Sequence, residues 1–189
     1  MIVSIPDSNE IVVNDNLLAT TSWFTFFQDV WRSIRGGLGI SIGGTLSSDT
    51  TSASNTGSGE TDLINYDLKK LLKNNGDELY IKAWGVYAVN ANNKTIKLNF
   101  GSQTILDTGA IAANDGSWQI EASIIRTATA SQEIIATITS SNLSVIESAT
   151  RTAGTQDLTT SNTLKITGQG TSSNDITQYA MLVKLTPYD

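Results

Sequence analysis

Apolar and polar residues alternate along most of the chain from about residue 60 to the C-terminus. The segment 94–100 is a clear case, because Ile96, Leu98 and Phe100 alternate with polar neighbours. Alternation with a period of two is typical of β-strands that bury one face. It predicts strands over 78–89, 94–100, 103–107, 117–127, 133–140, 145–152, 163–168 and 176–185, after an opening segment that contains Leu63, Tyr66 and Leu68.

These eight or nine segments follow one another at a spacing of about 8–12 residues, with turn signals between them. Gly101-Ser102 predicts a hairpin turn, and Asn114-Asp115-Gly116 predicts a second turn. Such spacing is typical of an all-β sandwich or barrel. The predicted fold class is mainly β, a jelly-roll-like antiparallel sandwich over residues 60–189. Only residues 68–74 look helical, and they predict at most one turn.

A different pattern lies near the N-terminus, where large apolar residues recur at i, i+3, i+4, i+7, i+8 and i+11. This spacing marks one face of an amphipathic helix. Thr20, Thr21 and Ser22 are suitable N-caps, and Gly36-Gly37 is a suitable end. The pattern predicts a helix at about 22–35 that follows an extended arm. Its apolar stripe consists of Trp23, Phe26, Phe27, Val30, Trp31 and Ile34.

The aromatic stripe needs a partner, because an isolated helix of this length is marginal in water. Either the helix packs back on the β-domain, or it packs on copies of itself or on another protein. A segment rich in Gly, Ser and Thr separates it from the β-domain, which favours the second alternative. The predicted organisation is therefore an N-terminal anchor (1–35), a linker (36–59) and a β-sandwich head (60–189).

Charge argues against a nucleic-acid partner, and hydropathy argues against a membrane. The net charge is −6, and the 12 lysines and arginines are scattered along the chain. Binding to nucleic acid needs clustered cations that neutralise phosphates, so we expect no nucleic-acid partner. No apolar run approaches the roughly 20 residues that cross a bilayer, and no secretory signal is visible. We therefore expect synthesis in a cytoplasm and no membrane insertion.

The chain contains no cysteine and no histidine. Thiolate chemistry, zinc–sulfur sites and every catalytic triad that uses imidazole are thereby excluded. Aspartates in predicted turns do not follow a calcium-loop spacing, and local turn hydrogen bonds explain them better. The sequence predicts a protein that is not an enzyme, with no cofactor and no metal.

Two kinds of residue keep a binding or catalytic role open. Glu121, Glu133 and Glu147 could in principle supply a carboxylate pair for glycoside hydrolysis, although surface positions on strands explain them better. Trp84 and Trp118 lie in predicted strands. A buried tryptophan fills a core or subunit interface, whereas an exposed one can stack on a sugar. We take these tryptophans as candidate ligand or interface residues, with core or interface favoured.

Several segments resemble the C-terminal β-domain of bacteriophage head-fibre and tail-fibre-like virion proteins. They are LYIKAWG (79–85), NANNKTIKLNFG (90–101), NDGSWQIEA (114–122) and KITGQGTSSNDITQ (165–178). TSWFTFFQDVW (21–31) is similar to the aromatic segment near the N-terminus of many phage fibre and spike proteins.

The resemblance implies a jelly-roll-like head, assembly as a homotrimer and residence on the surface of a virion. It carries no catalytic motif to any residue here. The function expected is that of a surface decoration or fibre protein that attaches to capsid or tail proteins through residues 1–35. The alternative is a receptor- or glycan-binding module of a tail fibre, with a host surface glycan as its partner.

Overall fold

The computed structural model describes residues 43–141 and 148–188, and within them all regular secondary structure is β. The predicted helix at 22–35 and its six stripe residues lie outside the described residues. The strands are β1 Gly44–Asp49, β2 Ala53–Thr56, β3 Thr61–Asp67, β4 Glu78–Tyr87, β5 Asn93–Phe100, β6 Gln103–Asp107, β7 Ile111–Ala112, β8 Ser117–Ala128, β9 Ser131–Ser140, β10 Ser148–Gly154, β11 Thr163–Gln169 and β12 Ser173–Thr186.

The strands form two antiparallel sheets. The larger has the order β1-β12-β4-β8-β9-β10, and β2 also pairs with β12. The smaller has the order β3-β11-β5-β6, with the short β7 also on β5. Two antiparallel sheets around a common apolar core confirm the prediction of a mainly β sandwich.

The predicted alternation produces the core directly. In β4, Leu79, Ile81 and Ala83 are fully buried, whereas the residues between them lie on the outer face of the sheet. The smaller sheet contributes residues such as Leu98 and Ile166 to the same core. Burial of each large apolar side chain stabilises the fold by about 1.5–3 kcal/mol. The period-two pattern therefore fixes which face of each strand is buried.

The pairing of the strands is nested. The first strand pairs with the last, β3 pairs with β11, β4 pairs with β8, and β5 pairs with β6. The chain is thus folded back on itself like a long hairpin that is wrapped into two layers. The hairpin β9–β10 lies outside this nesting and extends the larger sheet beyond β8.

The later part of the predicted linker, from Gly43 onward, belongs to the β-domain, which corrects the predicted boundary. β1 and β2 lie within residues 36–59, and both pair with β12, so the compact β-domain begins at Gly43. These strands are rich in Ser and Thr and have little apolar alternation, which is why the sequence pattern missed them. Asn55 is buried and fixes β2, because its side chain accepts from Ile176 N (2.9 Å) and donates to Ser172 O (2.8 Å).

The prediction of a helical turn at 68–74 is wrong. This segment is an irregular loop in which Lys69 and Lys70 have φ of 43° and 61°, outside the right-handed helical region. The backbone N–H groups of Lys73 and Asn74, which a helix over 68–74 would pair with carbonyls four residues earlier, instead donate to the buried carboxylate of Asp77, each at 2.8 Å. A local side-chain acceptor has replaced helical hydrogen bonds.

Candidate functional site

The two candidate tryptophans lie on opposite faces of the larger sheet. Trp118 is 1% exposed and belongs to the core, whereas Trp84 is 40% exposed on the outer face. Their strands are neighbours, since Trp84 is the register partner of Gln119, and Gly85 that of Trp118. From the sequence, both tryptophans have the same two possible roles, core or ligand contact, because both occur in alternating segments. The phase of the alternation separates them, because Trp118 is in phase with the buried residues of β8, whereas Trp84 is out of phase with the buried residues of β4.

A groove lies beside Trp84, where β4, β8 and the end of β9 come together. It has a volume of about 630 Å³. Small-molecule sites in proteins typically have volumes of about 300–1,000 Å³. We call this feature the Trp84 groove. Its lining residues are Lys82, Trp84, Gly85, Ser117, Trp118, Gln119, Thr139, Ser140 and Ser141.

Gly85 shapes the groove through the side chain that it lacks. A Cβ atom at this position would lie 2.0 Å from the Thr177 carbonyl oxygen and 2.6 Å from the ring of Trp118. Real Cβ atoms do not approach other heavy atoms so closely. The Trp118 ring therefore packs directly over the backbone of β4, and a glycine is required at the contact.

Polar side chains on three adjacent strands form a row across the outer face. Trp84 of β4, Gln119 of β8 and Thr139 of β9 are successive register partners. Gln119 Nε2 donates to Glu121 Oε1 at 3.0 Å, and Lys82 Nζ donates to the same oxygen at 2.9 Å. The amide of Gln119 is thereby held in place beside the exposed indole of Trp84.

Lys82 and Glu121 form an ion pair next to this row, and each shifts the pKa of the other. The hydrogen bond from Lys82 is the main cause that holds the pKa of Glu121 below its usual value. The same hydrogen bond raises the pKa of Lys82. Both groups are consequently charged at neutral pH, and their charges offset each other beside the Trp84 groove.

Two buried polar atoms among the lining residues have no hydrogen-bond partner within the described part of the chain. They are the indole Nε1 of Trp118 and the hydroxyl of Ser140, and these residues face each other in register on β8 and β9. Buried polar groups in proteins are almost always paired, so each exception needs an explanation. Here the two exceptions occur at one groove.

The carboxylates considered for catalysis have separate ion-pair partners. Glu121 pairs with Lys82, and Glu133 pairs with Arg151 at 2.8 Å. Glu147 lies outside the described residues. Within residues 43–141 and 148–188, no group of three potential metal-ligating side chains comes together. Asp107 and Asp157 accept hydrogen bonds from N–H groups two residues later, which is the turn chemistry that the sequence predicts.

A second polar region was not foreseen from the sequence, because it is assembled from three separated loops and strands. The ammonium of Lys94, fully buried, donates to Asn90 Oδ1 at 2.7 Å and to the carbonyl of Ala113 at 2.5 Å. Asp175, also buried, accepts from the side-chain amides of Asn90 and Asn92. We call these five residues the Lys94 cluster.

Comparisons of the chain with protein-family models, with curated proteins and with solved structures give no match. The resemblance to phage fibre-like proteins therefore stays a prediction. No helix in the described ranges is long and apolar enough to cross a membrane.

Proposed function

We propose that the protein is a non-enzymatic structural subunit of a bacteriophage particle, with its β-domain as an exposed head on the virion surface. In this proposal residues 1–35 attach the head to capsid or tail proteins. The observation that carries the proposal is the nested order of the strands, which is compatible with the jelly-roll-like head that the sequence resemblance implies.

The strand order supports a jelly-roll assignment for the head. If the β9–β10 hairpin is set aside, the principal strands form two four-stranded sheets, β1-β12-β4-β8 and β3-β11-β5-β6. Each early strand pairs with its counterpart from the other end of the chain. A jelly roll likewise has eight strands in two sheets. Viral capsid domains are among the proteins that use it.

We propose that the subunit assembles as a homotrimer. The resemblance implies it, and two exposed isoleucines give the head a candidate contact surface. Ile125 is 38% exposed and Ile135 is 51% exposed, and both lie on the outer face of neighbouring strands β8 and β9. Exposed apolar side chains that lie close together are typical of protein–protein contacts.

Light scattering of the full-length protein and of residues 43–189 tests the assembly. We expect a trimer for the full-length protein and a melting temperature that rises with protein concentration, because association stabilises the folded state by mass action. A trimeric fragment would assign the association to the head, and a monomeric one to residues 1–42. Monomeric full-length protein at every concentration, with a constant melting temperature, would contradict the homotrimer.

Incorporation into particles tests the attachment. A variant that carries both Phe27→Asp and Trp31→Asp places two charges on the predicted apolar stripe, so we expect it to be missing from purified particles. Val89→Asp is the matched control, because Val89 is 78% exposed on the head. We expect the control to be incorporated at the wild-type level. Wild-type incorporation of the double variant would contradict attachment through the stripe.

The Trp84 groove favours a second candidate function, in which the head binds a host-surface molecule. The two functions are compatible, because one subunit can attach at its N-terminal region and bind a ligand on its head.

A further inference from the structure

We propose that the Trp84 groove binds a short neutral saccharide, with the apolar face of one sugar ring against the indole of Trp84. This inference deepens the second candidate function, on which it rests, by assigning a ligand class to the head. It follows from three properties of the groove, which are its exposed aromatic face, its uncharged polar rim and its balanced charge.

The aromatic face is accessible, and the backbone that carries it is fixed. Trp84 lies in the middle of the larger sheet, because β4 is paired with β12 on one side and with β8 on the other. Because the backbone is already ordered, binding has only side-chain torsions of Trp84 to fix, which lowers its entropic cost. The C–H groups on one face of a pyranose ring form an apolar patch that suits a flat, exposed aromatic ring.

The rim of the groove presents small, uncharged hydrogen-bonding groups. The hydroxyls of Ser117, Thr139 and Ser141 and the amide of Gln119 can each donate and accept. Ser141 Oγ accepts from Ser117 N at 2.9 Å, so its own O–H remains a possible donor. Sugar hydroxyls also donate and accept, and a set of such groups around one aromatic face fits a polyhydroxylated ring.

The balance of charge favours a neutral ligand over an anionic one. Lys82 is the one charged residue among the described lining residues, and its charge is offset by Glu121 at 2.9 Å. Recognition of a phosphate or carboxylate usually uses an Arg or Lys whose charge is not already paired. A sulfated, phosphorylated or sialylated glycan would place its negative charge near Glu121, which is unfavourable.

The same residues could instead form a contact between subunits, and their character argues against that reading. A subunit interface usually has an apolar centre of several large side chains. The Trp84 groove has one exposed aromatic ring among serines, a threonine and a glutamine. We therefore favour the saccharide and treat the subunit contact as an outcome of the experiment.

The experiment measures binding of full-length protein to a panel of neutral oligosaccharides of glucose, galactose, mannose and N-acetylglucosamine, together with sialylated and sulfated counterparts. Tryptophan fluorescence and calorimetry report the affinity of the wild type, Trp84→Ala and Gln119→Ala. Tyr179→Ala is the matched control, because Tyr179 is an aromatic of β12 that is 46% exposed but does not line the groove. Light scattering is recorded for every variant.

We expect the wild type to bind at least one neutral saccharide in preference to its anionic counterparts. Trp84→Ala should weaken that binding at least tenfold, which is about 1.4 kcal/mol, whereas Tyr179→Ala should stay close to the wild type. Gln119→Ala should weaken binding less than Trp84→Ala does.

Three results would overturn the inference. They are the absence of neutral-saccharide binding by the wild type, a preference for anionic saccharides, and binding that does not change in Trp84→Ala. If no saccharide binds and Trp84→Ala alters the solution mass, the groove is a subunit contact. Incorporation into particles is measured separately. A failure of saccharide binding therefore leaves the proposed structural role intact, and a failure of incorporation leaves the saccharide inference intact.

Discussion

The Lys94 cluster and the Trp84 groove are both polar regions of the β-domain, but they differ in how completely their polar groups are paired. In the cluster, Lys94 Nζ has four oxygen atoms within 3.1 Å, more acceptors than its three hydrogens require. In the groove, the polar atoms of Trp118 and Ser140 have no partner among the described residues. Within the described residues, the hydrogen bonds of the cluster are complete and those of the groove are not.

The difference indicates that the polar groups of the Lys94 cluster have a structural role. Asp175, like Lys94, uses its whole side chain internally, because it accepts from backbone N–H groups of Thr171 and Ser172 at 2.8 and 2.7 Å as well as from the two asparagine amides. Nothing is left over for a ligand, so the cluster fixes loops at one end of the sandwich. A region with an exposed aromatic ring and exposed hydroxyl groups, those of Ser117, Thr139 and Ser141, is the better candidate for function.

The largest effect is expected from Lys94→Met, which removes the ammonium at the centre of the cluster. The carbonyls of Asn90, Asn92 and Ala113 would lose their shared donor in a buried site. Leaving buried polar groups without partners should lower the free energy of unfolding by about 3–5 kcal/mol. Urea unfolding measures this change.

Lys184→Met is the control for this prediction, because Lys184 is exposed on β12 and its side chain has no acceptor among the described residues. We expect the control to stay close to the wild type. If both variants unfolded at the same urea concentration, the cluster would contribute no more than an ordinary surface lysine does.

A smaller effect is expected from Gly85→Ala at the floor of the Trp84 groove. The added methyl group would collide with the Thr177 carbonyl oxygen and the Trp118 ring, so β4 and β12 would have to move apart. Overpacking of this kind typically costs about 1–3 kcal/mol. Gly59→Ala is the control, because a Cβ atom there has nothing within 4 Å. Equal thermal stability of the two variants would contradict the close contact.

The sequence was sufficient to predict the strands that alternate between apolar and polar residues. The hairpin at Gly101-Ser102 is confirmed between β5 and β6, with Gly101 at a φ of 58° that suits glycine. Alternation fixes these elements because the buried face of each strand is recorded in every second residue. β1 and β2 were missed because each contributes one apolar residue to the core, Leu46 and Ala53, while backbone hydrogen bonds to β12 hold them in the sheet.

The candidate site could be predicted only in part. Trp84 and Trp118 were identified as candidates, but their opposite orientations, which follow from the phase of the alternation in β4 and β8, were not assigned. Gln119 and Thr139 were not identified, because isolated polar residues on a strand look the same whether or not they surround a groove. The Lys94 cluster joins residues up to 85 positions apart, as in the contact between Asn90 and Asp175.

A pH dependence is expected from Asp175 in the Lys94 cluster. Burial alone would raise its pKa, but hydrogen bonds from Ser172, Asn90, Asn92 and Thr171 together hold the pKa below the usual value. A carboxyl group whose pKa is lower in the folded state stabilises the protein above its unfolded pKa of about 3.9. That contribution is lost as the pH falls through the lower, folded pKa.

Urea unfolding between about pH 5 and about pH 2 measures this loss. We expect Asp175→Asn to be less stable than the wild type at pH 5 and to lose less stability as the pH falls. Parallel curves for the two proteins would contradict a lowered pKa in the fold.

The smallest effect on stability is expected for the ion pair beside the Trp84 groove, and it sharpens the comparison between the two polar regions. The side chains of Lys82 and Glu121 are 35% and 42% exposed, so solvent and salt screen their attraction. Lys82→Met should leave the urea unfolding midpoint nearly unchanged, in contrast to Lys94→Met. It should nevertheless raise the pKa of Glu121 towards the usual value, because the hydrogen bond from Lys82 is the largest cause of its lowering. An NMR titration of the Glu121 carboxyl group measures that rise, and 1 M salt should reduce the difference between the two proteins. A large loss of stability in Lys82→Met would instead make the rim of the groove as structural as the Lys94 cluster, and would weaken the case that its polar groups serve a ligand.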